Sequence, residues 1–226
     1  MSYIWQDFNI KTFPAETIVF RDGIYCPELS TIDYKSIDIT YDLPVHIIYV
    51  GNIKDDKELN IELNSDNQNV FVSVKINVDN PAFLKFFIKN SGENSKIKTN
   101  IIIENKSILN FNCFAEHLYK NTGIFVKTKL LAHQNSVSKL SADAIIKNNV
   151  ELCQSSIDLS AMADDNAKII FLPAQHISTE PDKASHSASI FRPNDEQILY
   201  LRESGLSGTE VMQVMREAFF NDIDFN

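Results

Sequence analysis

A single histidine late in the chain stands among small residues, in Lys183-Ala184-Ser185-His186-Ser187-Ala188-Ser189. A neutral imidazole is a borderline metal ligand and a hydrogen-bonding group, and the serines beside it leave room for an approaching group. Other side chains with soft or borderline ligand chemistry are His117, His133 and His176, together with Cys26, Cys113 and Cys153. Cys153 is the strongest thiol candidate, because the strand read over residues 150–159 immediately precedes the coil leading to His186. A buried cysteine also serves simply as a small hydrophobe, and Cys26 and Cys113, which alternate with apolar neighbours, read that way.

Other chemistries are excluded by what is missing. The chain has no Walker A sequence, no dinucleotide glycine fingerprint, no G-x-S-x-G elbow, no C-x-x-C and no H-E-x-x-H. Asp164-Asp165 and Glu180-Pro181-Asp182 read as solvated turns rather than an acid/base pair. A net charge of −9, with no cluster of Lys or Arg to offset it, argues against nucleic acid and against anionic membrane surfaces. No apolar run spans a bilayer, and the first residues lack the basic start and apolar centre of a signal peptide. Three widely separated cysteines fit a reducing compartment, so the chain reads as cytoplasmic.

The elements that must position these residues are mostly strands. Across 226 residues, 44% hydrophobic and 23% charged, the composition is that of one globular body. Residues 17–20 and 24–26 form a hairpin around Arg21-Asp22-Gly23, ended by Pro27, and Trp5, Phe8 and Phe13 read as anchors onto the body. From Ser36 to Phe171, short alternating strands dominate: 36–41, 45–50, 59–63, 70–78, 83–88, 97–103, 108–113 and onward. Residues 118–120 and 130–134 read as excursions from the pattern.

A weak repeat narrows the architecture. Asn105, Asn135 and Asn166 recur at about 30 residues, each before an apolar strand start, and a second series through Asn121 and Asn148-Asn149 falls between them. Two turns per coil give two stacked parallel sheets. A sandwich with recurring Asn turns is the alternative. After residue 190 the pattern becomes helical. Asn194 with Gln197, and Ser207 with Glu210, have capping-box spacing, and Gly205 separates the two helices. Val211, Met212, Val214, Met215, Ala218 and Phe219 form an apolar stripe on the second. The chain therefore divides into a body, 1–190, with its N-terminal hairpin, and a C-terminal helical region, 191–226.

Four segments together resemble the SufB/SufD family of iron–sulfur cluster assembly proteins. These are Phe20-Arg21-Asp22-Gly23-Ile24-Tyr25-Cys26-Pro27-Glu28-Leu29-Ser30, then the Pro-containing strand Asn166-Ala167-Lys168-Ile169-Ile170-Phe171-Leu172-Pro173-Ala174-Gln175-His176-Ile177, then Lys183-Ala184-Ser185-His186-Ser187-Ala188-Ser189, then Asp195-Glu196-Gln197-Ile198-Leu199-Tyr200-Leu201-Arg202-Glu203-Ser204-Gly205-Leu206. The resemblance implies a mainly β fold, a right-handed parallel β-helix (a two-sheet solenoid) closed by a C-terminal helical pair. It also implies a non-enzymatic scaffold that docks a SufC-type ATPase through its helices and pairs through its β-helix with a SufB-type subunit or with itself. His186 matches the SufD histidine associated with cluster assembly, and Cys153 lies near the strand of the SufB cysteine. Tyr200, Leu201, Val211, Met212, Met215 and Phe219 become the ATPase-docking candidates. No stably bound cofactor is implied, only a transient iron–sulfur cluster. Ser187 where the family has Gly, the lack of an acidic flank at His186, and no helical region read before the hairpin make the chain SufD-like. A polysaccharide-active β-helix and a structural homo-oligomer are the alternative readings.

Overall fold

The computed structural model describes residues 16–21, 24–29, 45–53, 56–63, 66–221 and 223. Within them, β1 (Glu16–Arg21) and β2 (Ile24–Tyr25) pair antiparallel as the expected hairpin, followed by a 3-10 turn at Pro27–Leu29. The Asp22-Gly23 turn itself, the strand read over 36–41, and Trp5, Phe8 and Phe13 lie outside the described residues.

Eleven strands then alternate between two sheets. Sheet A takes β3 (Val45–Ile53), β5 (Asn69–Val78), β7 (Lys96–Asn105), β9 (Gly123–Ala132), β11 (Gln154–Ala163) and β13 (Lys183–Phe191), with β1 and β2 at its far edge. Sheet B takes β4 (Lys57–Leu63), β6 (Ala82–Asn90), β8 (Ile108–His117), β10 (Val137–Ile146) and β12 (Lys168–Ile177). Each strand from β3 to β11 pairs in parallel with the strand two further on, so the chain winds as a flattened parallel β-helix. The offset per coil is 27 residues early and 29 or 31 later.

The core lies between the sheets and follows from period two. Leu84, Phe86 and Ile88 of β6 face Val72, Val74 and Ile76 of β5 within one buried cluster, and each later coil stacks beneath. Burying each such side chain contributes about 1.5–3 kcal/mol. Six coil corners carry asparagine, the non-glycine residue that most readily accepts positive φ, in that conformation. Asn67, Asn94, Asn121, Asn135, Asn149 and Asn166 all have φ between 55° and 67°. Asn94 Nδ2 donates to Asn67 Oδ1 at 3.2 Å, and Asn121 Nδ2 donates to Asn94 Oδ1, so this corner is also a side-chain ladder.

Two expectations are corrected. Asn105 is not a turn residue: it is buried at the end of β7, where its amide donates to Val137 O and Ser138 Oγ and its Oδ1 accepts from Ser107 N. Residues 130–132 are no excursion but the end of β9. Leu130 and Ala132 face the core, while Leu131 is buried on the opposite side beneath the C-terminal helices. With both faces covered, the strand loses its alternation.

The helices form where the capping boxes place them. In α1 (Asp195–Glu203), Asn194 Oδ1 accepts from Gln197 N and Gln197 Oε1 from Asn194 N; in α2 (Gly208–Phe220), Ser207 and Glu210 repeat the exchange. They do not close the β-helix. Val211 and Met215 pack on Leu131 and Met162, which alternate outward from the core-facing residues of β9 and β11, so the pair lies across the outer face of sheet A.

The corner between β10 and β11 has a second positive-φ residue that is not asparagine. Leu152 has φ 57° and is 59% exposed. A left-handed conformation costs a branched side chain roughly 1–2 kcal/mol, and an exposed leucine makes few contacts to lose. Leu152→Asn is therefore expected to stabilise the protein by about 1 kcal/mol, measured as a raised urea midpoint at unchanged m-value; a lowered midpoint would count against this account of the corner.

Candidate functional site

The last coil has no successor. Register aligns Leu140, Ala142 and Ala144 of β10 with Phe171, Pro173 and Gln175 of β12, and Ile157, Leu159 and Ala161 of β11 with His186, Ala188 and Ile190 of β13. The β10 and β11 residues are buried core, so their partners are the inward positions of the final coil. There the core ends at an open mouth: Ile190 is 47% exposed, and His186 and Ala188 are exposed. Strands β12 and β13 are each the last of their sheet, leaving edge N–H and C=O groups unpaired among the described strands. His186 thus sits mid-strand on an edge, facing the mouth rather than a packed interior. Gln175, which the sequence reading passed over, faces the same mouth, and its Nε2 is enclosed without a hydrogen-bond partner. An enclosed, unmet donor costs about 1–3 kcal/mol. His176 points to the outer face of sheet B, with Nε2 3.3 Å from Asp143 Oδ1.

Cys153 is elsewhere. It is buried at the corner before β11, where its sulfur lies 3.3 Å from Thr122 Oγ1 and 3.5 Å from Tyr119 O. It follows Ser95 and Thr122 in the same place of the preceding coils, and Asp182 N and Lys183 N donate to its carbonyl. Thr122 gives its one hydroxyl proton to Tyr119 O at 2.9 Å, so the buried His117, with Nδ1 2.8 Å from Thr122 Oγ1, donates there and leaves Nε2 a bare acceptor. Burial pushes His117 down to about 4, so the ring is neutral. Cys113, in the core of β8, is pushed up to about 12 by burial and then by Asp143, which leaves it an inert thiol. The structure therefore does not bring Cys153 and His186 together. Among the described residues, no group of three or more His, Cys, Asp or Glu is placed to hold a metal ion.

The helical candidates divide by burial. Val211 is fully buried and Met215 nearly so, both packing α2 onto sheet A, with Met212 partly buried against the same cluster. Tyr200 is 71% exposed and Leu199 56% exposed on α1. Tyr200, Leu201, Met215 and Phe219 line a mostly apolar groove of about 440 Å³, with Phe191 and Gln197 completing its wall.

A coiled two-sheet body with an open histidine-bearing end and an apolar helical pair on one flank is an architecture that a family model matches. The model, described as the SufBD core domain of the SUF system for FeS cluster assembly, covers residues 60–219. The chain belongs to the SufBD core-domain family. Comparison with curated proteins finds no match. Membership places this SufBD chain in iron–sulfur cluster assembly, as a component of a complex with other Suf proteins. No helix among its described residues is long and apolar enough to cross a membrane.

In this SufBD core, the helices are also tied to the body by charge, through residues that no motif marked. His133 follows β9 with Nε2 2.7 Å from Glu104 Oε1 and Nδ1 3.4 Å from Asp164 Oδ2. Asp164 Oδ2 in turn lies 3.4 Å from Arg216 Nη2 on α2, and Arg192 donates to Asp164 O and Ala167 O. Asp164, one of the carboxylates an acid/base pair would need, is thus engaged by a histidine and an arginine. Burial alone would lower His133, but hydrogen bonds to Asp164 and Glu104, and their charges, outweigh it and raise it.

A raised folded pKa means the protonated ring stabilises the fold. That contribution is complete below the unfolded value near 6.5 and disappears as pH rises through the higher folded value. Thermal stability is expected to fall across that window above about 6.5, and His133→Gln should flatten the dependence. An unchanged pH slope in His133→Gln would remove this residue from the latch.

Proposed function

We propose that this chain is a SufD-like scaffold subunit. Its open β-helix end pairs with a SufB-type subunit or with a second copy of the chain, and its C-terminal helices dock a SufC-type ATPase. The observation that carries the reading is the uncovered last coil. Apolar inward residues and two unpaired strand edges at one end of a solenoid call for a covering partner, and His186 stands in the surface that partner would cover. The docking half rests on the exposed Tyr200 and Leu199 beside the apolar groove, since large aromatic residues at the centre of an interface carry much of its affinity. The iron–sulfur cluster is cargo in this reading, and the fold supplies presentation rather than catalysis.

Because His186 is exposed and has no protein hydrogen bond to lose among the described residues, His186→Ala should leave stability within about 0.5 kcal/mol of wild type. It should also spare ATPase binding while reducing cluster assembly in reconstitution; a stable His186→Ala protein with undiminished assembly would remove the histidine from the function. Tyr200→Ala should weaken ATPase binding about tenfold or more, equivalent to about 1.4 kcal/mol, in calorimetric titration. Undiminished binding by a Leu199→Ala/Tyr200→Ala protein would sink the docking assignment. Deleting residues 192–226 is the poorer test, since it strips cover from Leu131 and Met162.

A further inference from the structure

We infer that the acidic segment following α2, Asp222-Ile223-Asp224, docks on Lys127 and Lys129 of β9 and so holds Phe219 in the wall of the groove beside Tyr200. The clamp deepens the docking reading, on which only its consequence for the groove rests.

The outer face of sheet A gathers positive charge that the sequence scatters. Alternation turns Lys75, Lys96, Lys98, Lys127 and Lys129 away from the inward residues of β5, β7 and β9, one or two from each coil. The acids on the same face of β5 to β11 are Glu104 and Asp158, and both are engaged. Glu104 meets His133 and Lys106, and Asp158 accepts from Ser160 Oγ at 3.0 Å. Within a chain of net charge −9, this face attracts an acidic segment.

Helix α2 delivers one. Val211 and Met215 pack with Leu131 and Met162, which lie side by side in the register of β9 and β11. Phe219, four residues past Met215, receives Lys129: Nζ donates to Phe219 O and lies 4.5 Å from the centre of its ring. Four helical residues advance about 6 Å, and the step from Leu131 back to Lys129 is about 6.6 Å, so α2 runs antiparallel to β9 and points toward Lys127. No Lys or Arg follows Arg216, and the acids just past the helix are Asp222 and Asp224. These two lie outside the described residues, but Ile223 between them is 6% exposed, and its N–H donates to Phe220 O at 3.0 Å. The chain therefore stays on the body past α2, and each aspartate is one residue from a buried anchor. Lys129 is itself 5% exposed. Taking an ammonium out of water is costly unless a full negative charge meets it, and a helix-end carbonyl and a ring face contribute only partial charge.

Zero-length crosslinking tests the contact. Wild-type protein treated with a water-soluble carbodiimide should give an amide between Asp222 or Asp224 and Lys127 or Lys129, read by mass spectrometry of its peptides. A mixture of isotope-labelled and unlabelled protein separates a link within one chain from a link between copies. No link from either aspartate to these lysines, or links only between copies, would overturn the inference. Asp222→Asn/Asp224→Asn should lower the thermal midpoint by about 2–4 °C at low salt and by less at high salt. Lys127→Glu should do the same, and Lys127→Glu/Asp222→Lys/Asp224→Lys should recover part of the loss, which a lysine acting only through its stem would not allow. Where the charge-swapped protein fails to fold, Lys127→Gln combined with Asp222→Asn/Asp224→Asn decides: losses that simply add would count against the pairing. ATPase binding by Asp222→Asn/Asp224→Asn should weaken several-fold. If that variant binds as wild type does while Tyr200→Ala binds weakly, the hold on Phe219 is refuted. If Tyr200→Ala also binds as wild type does, the docking reading fails, and the crosslink still decides the clamp.

Discussion

The structure depends on the parallel ladder by which each coil satisfies the backbone of the coil before it. A parallel strand both donates to and accepts from each neighbour, turning alternate residues to one side and then the other, so every interior strand here is complete only because two others, offset by one coil, are present. Such a fold cannot finish itself. Its terminal strands must be covered, blunted or paired, and the C-terminal helices, which lie on the flank of sheet A, leave β12 and β13 available.

The same ladder explains the side-chain order within the core. Inward residues stack in columns down the sheets, and volumes must balance across the gap at each level. On sheet B one column runs Phe86, Cys113, Ala142, Pro173, and the next runs Ile88, Ala115, Ala144, Gln175. The thinning toward alanine is matched on sheet A, where Ile157 and Leu159 fill the level of Ala144 and Ala142. Corners stack by the same rule. Asparagines in positive φ hydrogen-bond down one corner, while Ser95, Thr122 and Cys153 follow each other at the start of the sheet A strands. Cys153 is thereby explained as the third member of a column of small polar residues, without reference to a metal.

Much of this was legible in the residues because period two and capping boxes are local signals. The strand over 70–78 and both helix starts at Asn194 and Ser207 are where the alternation and the boxes put them. What escaped was set by register or by burial from a distant segment. Gln175 and His186 are inward only because they align with Ala144 and Ile157, about one coil earlier, and no local pattern carries that alignment. The apolar run 130–132 looked like a break because α2, some eighty residues on, covers the outer face. Asn105 reads as a turn because a buried strand-end asparagine and a positive-φ asparagine share the same sequence neighbourhood. His133 reads from the sequence only as a borderline ligand, and nothing marks its ion pairs, since its carboxylates come from coils on either side.

Strand β13 is shared between the two surfaces that the fold leaves unfinished. Its middle residue, His186, faces the mouth, and its last residue, Phe191, lines the groove beside Tyr200 and packs with Leu201 and Met215. The two are separated by about 17 Å of extended chain, five residues at strand rise. An edge strand is held on one side only, here by β11, so it has less to resist displacement than any strand within the sheet. Whatever seats itself in the groove therefore bears on the end of a half-held strand whose centre carries the mouth's histidine. The latch of His133, Asp164 and Arg216 fixes α2 to the neighbouring strand ends β9 and β11 rather than to β13. The helical pair is anchored to interior strands of sheet A while its groove reaches the end of the edge strand, so the groove and the mouth's histidine share one strand held on a single side.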